Sequence, residues 1–410
     1  MPLISIYYFC EFFASAAFNG FITLFYRARG MTLGRVSLLM AIAPLTAFAA
    51  LPLWGTISDH APRKNVVHVT VIFLSALSVL LFEPADTFLA LAWVSCLFAF
   101  FSTVITPLGE TVALEYLHQH RLPFGPCRLF GALAYALGGL ILGFLLQGHE
   151  ERFVPACAIV YALCAASALA LPTVHGHARS ENSKPLLTYD GLQYARTSYL
   201  RSHRKGSFSL QNSAYAFLLH HDLAPMLLFA LCIQVTQGIF YTLYAPYLTD
   251  VLGASRRMVG VAIALGALCE IPFLRVSDKL YRMLSAPWLL LLCGTAMALH
   301  WLLLGLLPYR WAAVALQAMN ILGTTAAAFT MAQHISRHTP AAQKARAQTL
   351  LYLVTYAAAR TLGSVLGGFF QFITRSIPSA FIISGILLLC CCALFARLML
   401  QRPQPNRRRY

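Results

Sequence analysis

Long apolar stretches recur along this chain and constrain its fold more than any other feature. A transmembrane helix needs about 20 mainly apolar residues, so the sequence is read in windows of about 19 residues. Twelve stretches qualify: 4–26, 36–57, 66–83, 88–114, 127–147, 153–172, 223–246, 257–276, 286–307, 311–332, 346–374 and 377–399. The pattern predicts an all-α polytopic membrane protein with twelve transmembrane helices.

The composition excludes a soluble enzyme. Of the 410 residues, 59% are hydrophobic and 11% are charged, whereas about a quarter of the residues in soluble proteins are charged. The sequence has no GxxxxGK phosphate-binding loop and no soluble nucleotide-binding domain. We therefore expect no enzyme activity, no cofactor and no direct use of ATP, which leaves a proton gradient as the energy source.

One long polar segment divides the chain. Residues 173–222 are rich in Ser, Arg, His and Gln, whereas the other loops are short. We predict an N-terminal six-helix bundle over 1–172, a cytoplasmic linker over 173–222, a C-terminal six-helix bundle over 223–400 and a basic cytoplasmic tail over 401–410.

An internal repeat supports this division. The sequence Ser58-Asp59, followed by Arg63, recurs 219 residues later as Ser277-Asp278, followed by Arg282. Two bundles of six helices related by an axis along the membrane normal are a transporter architecture, and the solute site of such transporters lies near the midplane between the bundles.

The basic residues predict the orientation. The formal net charge is +16, which in a soluble protein would indicate a nucleic-acid partner. In a membrane protein, Lys and Arg instead collect in cytoplasmic loops, where they meet anionic lipid head groups. Counted on alternate sides of the twelve stretches, they divide 21 against 8, with Arg360 alone inside a stretch. We predict a multi-pass protein of the cytoplasmic membrane with both termini in the cytoplasm, membrane lipids as partners and no nucleic-acid partner.

Cysteine and histidine do not indicate a metal site. Most of the eleven cysteines, including the run Cys390-Cys391-Cys392, lie in apolar stretches. Such cysteines are usually small core residues rather than members of a disulfide framework. The histidine pairs in the loops have no neighbouring Cys or cluster of carboxylates, so we predict no metal centre.

The loop after the second stretch carries a specific motif. Gly55, Asp59, Arg63 and Lys64 match the GxxxDxxxRK signature, so the chain resembles the major facilitator superfamily of transporters. We expect Gly55 to let two helices approach closely and Asp59 to pair with a basic group at a helix end. An ordinary positively charged turn would need no glycine at this spacing. The resemblance implies a role in conformational change for these residues and for their repeat, Asp278 and Arg282.

A narrower resemblance lies in the fourth and fifth stretches. Pro107-Leu108-Gly109-Glu110 precedes Arg128-Leu129-Phe130-Gly131, with 18 residues from Glu110 to Arg128. This pattern is similar to the lactose permease and phenylpropionate permease branch of the superfamily. The resemblance implies that Glu110 and Arg128 bind a sugar hydroxyl or another polar solute group, and that Tyr135 stands where the branch has a stacking tryptophan.

The position of Glu110 and Arg128 supports the same interpretation. Both lie equally far from the middle of the connecting loop, so two antiparallel helices would bring them to the same depth. Burying one charge alone in a membrane costs on the order of 2.5–3.5 kcal/mol, so a pair is favoured. A purely structural ion pair between helices is the alternative.

The second half matches the branch less evenly. Glu270-Ile271-Pro272-Phe273 is similar to an acid-containing motif of these permeases. His300 stands where they have Arg, Asn320 where they have His, and Gln237 where they have an acid. Arg360 keeps the basic residue of the eleventh stretch, eight residues after Tyr352. By the resemblance we assign Gln237, Asn320 and Arg360 to solute binding, with Arg360 holding an anionic group or pairing with an acid.

Four side chains are candidates for proton coupling. A carboxylic acid in an apolar cleft and a histidine both exchange protons near neutral pH. Glu270 and His300 meet this description, with a hydrogen-bonded core histidine as the alternative for His300. Glu11 is the third; it either lines the cavity from the first half or is an acid at a helix end that reaches the interface. Glu110 is a further carboxylate of the same kind.

The sequence therefore predicts a secondary active transporter that takes up a small polar solute together with protons by alternating access. A sugar, a nucleoside or an aromatic acid would fit the predicted ligands. Two alternatives remain: a proton-driven exporter of drugs or amphiphiles, and an uncoupled uniporter or transporter-like receptor. Replacement of the branch's Arg and His by His300 and Asn320 favours the uncoupled form.

Overall fold

The computed structural model of the protein describes residues 2–120, 125–174, 223–338 and 351–401, and these contain no β-strand. Twelve helices, α1 to α12, run over Pro2–Ala28, Leu33–His60, Lys64–Leu80, Phe88–Leu117, Gly125–Leu145, Phe153–Leu169, Ala224–Val251, Arg256–Met283, Ala286–Leu306, Arg310–Ile335, Leu353–Thr374 and Ile377–Leu400. The predicted fold class is confirmed. Most of the predicted linker, 175–222, and the tail, 402–410, lie outside the described residues.

In the described ranges, ten helices are long and apolar enough to cross a membrane. The other two are α3, which is apolar but only 17 residues long, and α8, which has 28 residues. The last turns of α8 are polar and extend seven residues beyond the predicted end at 276. Hydropathy cannot detect such an extension because the additional turns lie beyond the apolar stretch.

The helices form two bundles, α1–α6 and α7–α12. In the first, α1 packs against α5 and α6; in the second, α7 packs against α11 and α9 against α12. The most extensive contacts between the bundles are α5 with α8 and α2 with α11. Exchanging the two bundles, so that α5 becomes α11 and α8 becomes α2, converts one contact into the other, as expected for bundles related by a pseudo-two-fold axis.

Small residues allow the bundles to touch at one end. On α5, a Cβ added to Gly143 would lie 2.8 Å from a backbone oxygen of α8, and a Cβ on Gly260 of α8 would overlap the carbonyl of Gly139. On α11, a Cβ added to Gly368 would lie 2.6 Å from Ser37 of α2. Only glycine permits helix axes this close.

Ion pairs cross between the bundles at the same end. The Arg27 Nε lies 2.9 Å from an Asp250 carboxylate oxygen. Arg256 pairs with Glu150 and also donates to the Leu146 carbonyl at 3.3 Å. We call this end, defined by these contacts and the glycine crossings, the closed end. The charge distribution predicts that it faces away from the cytoplasm.

The turns at the closed end are defined by their sequence. Helices α2, α4, α8 and α12 begin there, and each is capped by a hydroxyl that accepts a hydrogen bond from the backbone three residues later: Thr32, Thr87, Ser255 and Ser376. Such caps satisfy amide groups that the helix cannot pair. These interactions fix the helix ends that bring the two bundles together.

Candidate functional site

A cavity of ≈ 1090 Å³ lies between the two bundles. Towards the closed end its walls are buried residues such as Thr23, Tyr244 and Val259. In the opposite direction it reaches exposed residues, among them Thr56 and Leu114. The cavity therefore opens at the end of α2 that carries the GxxxDxxxRK motif, the end predicted to be cytoplasmic.

The first bundle contributes an ion pair to the cavity wall. Arg128 Nη1 lies 3.3 Å from Glu110 Oε1, and the Arg128 guanidinium lies over the Phe12 ring, 4.8 Å from its centroid. About a third of each charged side chain is exposed, 34% for Arg128 and 38% for Glu110. The pair is thus within reach of a solute, and its two charges stabilise each other in the absence of one. Tyr135, further along α5 than Arg128, lines the same wall.

Arg360 of α11 lies among aromatic rings. Its guanidinium is 4.5 Å from the centroid of Tyr241 and 4.4 Å from that of Tyr356. Tyr135 faces this group from the first bundle. In the described part of the chain no carboxylate forms an ion pair with Arg360, and its Nε has no hydrogen-bond partner. Cation–π contacts stabilise the charge without neutralising it, so Arg360 remains available to an anionic group.

Glu270 and Asn320 complete the second half of the cavity wall. The Glu270 carboxylate accepts a hydrogen bond of 3.1 Å from the Thr325 hydroxyl. Asn320 Oδ1 accepts one of 3.0 Å from Gln237 Nε2. Both Glu270 and Asn320 line the cavity, and Thr325 lies beside them.

Gln237 lies behind this wall rather than on it. The Gln237 side chain is fully buried and packs against Gly323. A Cβ added to Gly323 would overlap the amide nitrogen of Gln237. Gly323 belongs to the π-helical turn Leu322–Ala326 of α10. Such turns widen a helix locally and are frequent at functional sites. Gln237 therefore orients Asn320 instead of lining the cavity.

His300 lies in the core of the second bundle, outside the cavity wall. It is fully buried, with its ring 4.6 Å from Trp301 and 6.2 Å from Phe240 between centroids. Phe240 lines the cavity, whereas His300 does not. The sequence positions the residue correctly along α9, but it does not show which side of an apolar helix faces the cavity.

Glu11 lies inside the first bundle and is 4% exposed. It lines a smaller pocket next to the main cavity. This burial excludes the alternative of an acid that reaches the membrane interface. The carboxylate is thus enclosed by the first bundle and is separate from the Glu110–Arg128 pair.

Sequence reasoning did not assign Tyr241, Tyr356 and Thr325 to the cavity. One signal was available for Tyr356, because Tyr352, Tyr356 and Arg360 are spaced by four residues and such residues share a helical face. The rings of Tyr352 and Tyr356 stack at 4.7 Å. No comparable spacing marks Tyr241 or Thr325.

The motif after α2 is built around a buried lysine. Lys64 is 1% exposed; its Nζ donates to Glu115 of α4 at 2.5 Å and lies 3.6 Å from Asp59. Arg63 is exposed. A Cβ on Gly55 would meet nothing within 4 Å, so the expected close helix approach at Gly55 is absent here because the cavity widens at this end. Asp278 and Arg282 lie in α8, and their side chains are outside the described set.

Replacing Lys64 with Met should destabilise the protein by about 2 kcal/mol, because the Glu115 carboxylate loses its partner in a partly buried position. Denaturant titration of the purified protein in detergent measures this change. Arg63→Met is the matched control, with an expected effect within about 0.5 kcal/mol for an exposed residue. Equal effects of the two substitutions would contradict the assignment of a structural role to the Lys64 bridge.

Known proteins resemble this chain over most of its length. The family model described as MFS_1 like family matches residues 2–383. A maltose permease of Geobacillus stearothermophilus is 25% identical over 307 residues, covering 75% of this chain and 71% of that protein. A probable 3-phenylpropionic acid transporter of Escherichia coli (strain K12) is 23% identical over 306 residues, covering 73% and 72%. The structure of the nucleoside transporter NupG superposes with a TM-score of 0.79 at 12% identity, covering 98% of this chain and 99% of that one.

The last comparison shows the fold, and the family match shows the class of protein. Twelve helices in two bundles with a cavity between them agree with both. The chain therefore belongs to the MFS_1 like family and is a multi-pass membrane transporter of the major facilitator type, not an enzyme.

Proposed function

We propose that the protein takes up a small polar solute together with protons, by alternating access of the cavity between the bundles. The cavity supports this proposal because it is closed at one end by contacts between the bundles and open at the other. Rocking one bundle against the other around a fixed site would open the closed end. In the proposed orientation, the structure corresponds to an inward-facing state.

The observation that carries the proposal for the solute is Arg360, a cation in the cavity that has no carboxylate partner among the described residues. A solute with an anionic group would neutralise it, and the rings of Tyr241 and Tyr356 would contact an apolar or aromatic body. The Asn320 amide and the Glu110–Arg128 pair offer hydrogen bonds to hydroxyl groups from both bundles. Aromatic acids fit this set best, and sugars and nucleosides fit the hydrogen-bonding part. The names of two relatives, a sugar permease and a probable aromatic-acid transporter, support the same range.

Proton coupling is supported by the two carboxylates on the cavity wall, Glu110 and Glu270. When the bundles close around a solute, each ionised carboxylate loses contact with water, which is costly inside a membrane. Protonation removes that cost. The occluded state is then favoured only when solute and proton are both bound, which is the requirement for symport.

The proposal predicts that Glu110→Gln strongly slows solute-driven proton influx. The purified protein is reconstituted into liposomes that contain a pH dye, and carboxylic acids, sugars, nucleosides and amphiphiles are added one at a time. We expect one solute class to acidify the lumen, and Glu110→Gln to lower that rate at least about tenfold, since hydrogen bonds to charged groups contribute about 1.5–3 kcal/mol.

Glu151→Gln is the matched control because Glu151 is exposed near the closed end and, within the described ranges, its carboxylate pairs only with His149. It should transport like the wild type. Uptake of labelled solute without proton movement would replace symport by uniport. Proton influx driven only by an outward gradient of an amphiphile would identify an exporter instead.

A further inference from the structure

A second pocket lies within the first bundle, beside the main cavity. It has a volume of ≈ 150 Å³ and is lined by α1, α2, α4, α6 and the loop before α4 of this bundle, together with Tyr352 and Tyr356 at the N-terminal end of α11. Four residues line both spaces: Asn19, Thr106, Tyr352 and Tyr356. We call this space the Glu11 pocket, since Glu11 is the one acidic residue on its wall.

Glu11 has no compensating charge inside this pocket. It is 4% exposed, and neither carboxylate oxygen has a hydrogen-bond partner among the residues that the structure describes. The hydroxyls of Tyr7 and Thr106 are its polar neighbours. The pocket wall, which lies wholly within the described residues, contains no Lys, Arg or His. An ionised carboxylate in such surroundings is unstable unless a cation joins it.

The charged and titratable groups around Glu11 do not supply that cation. Tyr7 lies on its own helix, and Tyr161 and Cys164 approach from α6. Glu110 of α4 and Arg128 of α5 act on it through space. On the far side of Tyr7, His68 of α3 is buried, and the centroids of the Tyr7 and His68 rings are 5.1 Å apart. Arg128, the basic residue among these neighbours, is already paired with Glu110.

The rest of the pocket wall is rich in oxygen atoms. Hydroxyl or amide oxygens come from α1, α4, α6 and α11, among them those of Ser15, Asn19, Ser102, Thr106, Tyr161 and Tyr356. Carboxylate and neutral oxygen ligands are what hard cations prefer. A volume of this size holds a small ion with one or a few waters and excludes a drug-sized solute, which needs about 300 Å³ or more.

Two helix interruptions flank the pocket. Helix α1 breaks between Asn19 and Ile22, and α4 breaks between Ser102 and Ile105. All four of these residues line the pocket. A broken helix leaves backbone carbonyls outside its hydrogen-bond ladder. In other secondary transporters, unwound carbonyls of this kind coordinate the coupling ion.

We propose that the Glu11 pocket binds a hard monovalent cation that the transport cycle requires in addition to protonation of Glu110 and Glu270, at a site separate from the solute cavity. A proton and Na⁺ would both place a positive charge on or beside the Glu11 carboxylate, and the bound cation is one of these two. The inference rests on the proposed symport. Coupling would pass through Tyr352 and Tyr356, since these residues of the second bundle line both spaces and move with that bundle.

Direct ion binding tests the site without any transport. Radioactive Na⁺ binding and an infrared pH titration of the protonated-carboxyl band are measured on the purified full-length protein, wild type against Glu11→Gln. We expect one of the two signals in the wild type and its loss in Glu11→Gln, with Glu151→Gln retaining it. Na⁺ binding identifies a sodium site, and a carboxyl band identifies a proton site. Absence of any signal that depends on Glu11 overturns the proposal.

Transport assays distinguish the function of this site from that of the solute site. In proteoliposomes Glu11→Gln should exchange solute across the membrane within about twofold of the wild type, yet lose accumulation driven by an ion gradient at least about tenfold. Glu110→Gln should lose both. If the wild type shows no ion-driven accumulation, the proposed symport fails, while the binding measurements still decide the Glu11 site.

A second variant protects the test against misfolding. Thr106→Val removes the hydroxyl beside Glu11 while keeping the carboxylate and the side-chain shape. It should weaken the Glu11 signal by about tenfold, because the Thr106 hydroxyl would coordinate Na⁺ or accept a hydrogen bond from the protonated carboxyl once the site is occupied. An unchanged ion affinity in Thr106→Val together with normal accumulation in Glu11→Gln would exclude the pocket as the ion site.

Discussion

Arg360→Gln is expected to weaken binding of anionic solutes by roughly 10- to 150-fold, because a charge-assisted hydrogen bond contributes about 1.5–3 kcal/mol. The guanidinium is held between Tyr241 and Tyr356 and has no carboxylate partner in the described residues. Removing it therefore leaves no unpaired acid behind, and the loss reports on the solute alone. Binding of neutral solutes should change little.

Arg360→Lys distinguishes charge from geometry. Lysine keeps the charge but loses the planar group that lies over the two tyrosine rings, so an intermediate loss is expected. Isothermal titration or a competition assay with an aromatic acid and a neutral sugar measures both affinities. Arg310→Gln, an exposed arginine at the start of α10, is the control. Wild-type affinity for an anionic solute in Arg360→Gln would show that the anion is bound elsewhere.

Gly260→Ala is expected to open the closed end. The new methyl group would overlap the Gly139 carbonyl, which is backbone and cannot rotate away. Overpacking of this kind costs about 1–3 kcal/mol. That cost applies only to conformations in which α5 and α8 touch. The population therefore shifts by roughly 5- to 150-fold towards the state in which the bundles are separated at this end. Transport should fall, since both states are needed in each cycle.

Pro84 and Tyr309 are exposed and lie in loops of the first and second bundle at the closed end. Spin labels at these two positions measure the shift as a longer distance between the labels. Gly266→Ala in the same helix is the matched control, since a Cβ there would meet its nearest neighbour at an ordinary 3.7 Å. Unchanged distances and transport in Gly260→Ala would mean that the crossing of α5 and α8 adjusts without opening.

Apolar length alone predicts the twelve helices because the membrane sets the length of each span. The same physics limits what the sequence shows about the site. A helix that is apolar on all sides has no pattern to orient it, so the sequence does not distinguish Asn320, which lines the cavity, from His300, which does not. Neighbours distant in sequence decide that orientation through packing.

Paired residues are easier to predict than isolated ones. The contact between Glu110 and Arg128 follows from two charges at equal depth on adjacent helices. Glu115 as partner of Lys64, and the packing of Gln237 against the π-helical turn of α10, depend on tertiary contacts with no sequence signal. Likewise, the spacing of Tyr352, Tyr356 and Arg360 indicates a shared face, but only the fold brings Tyr241 to it.

The closed end has one further consequence for how the protein responds to its surroundings. Its ion pairs, Arg27 with Asp250 and Arg256 with Glu150, are partly exposed to the solution on that side. Exposed charges are screened within about 8–10 Å at ordinary ionic strength. Salt on that side of the membrane therefore lowers the barrier to separating the bundles there, while salt on the other side leaves it unchanged. The salt concentration on the side of the closed end therefore changes the rate of one half of the transport cycle.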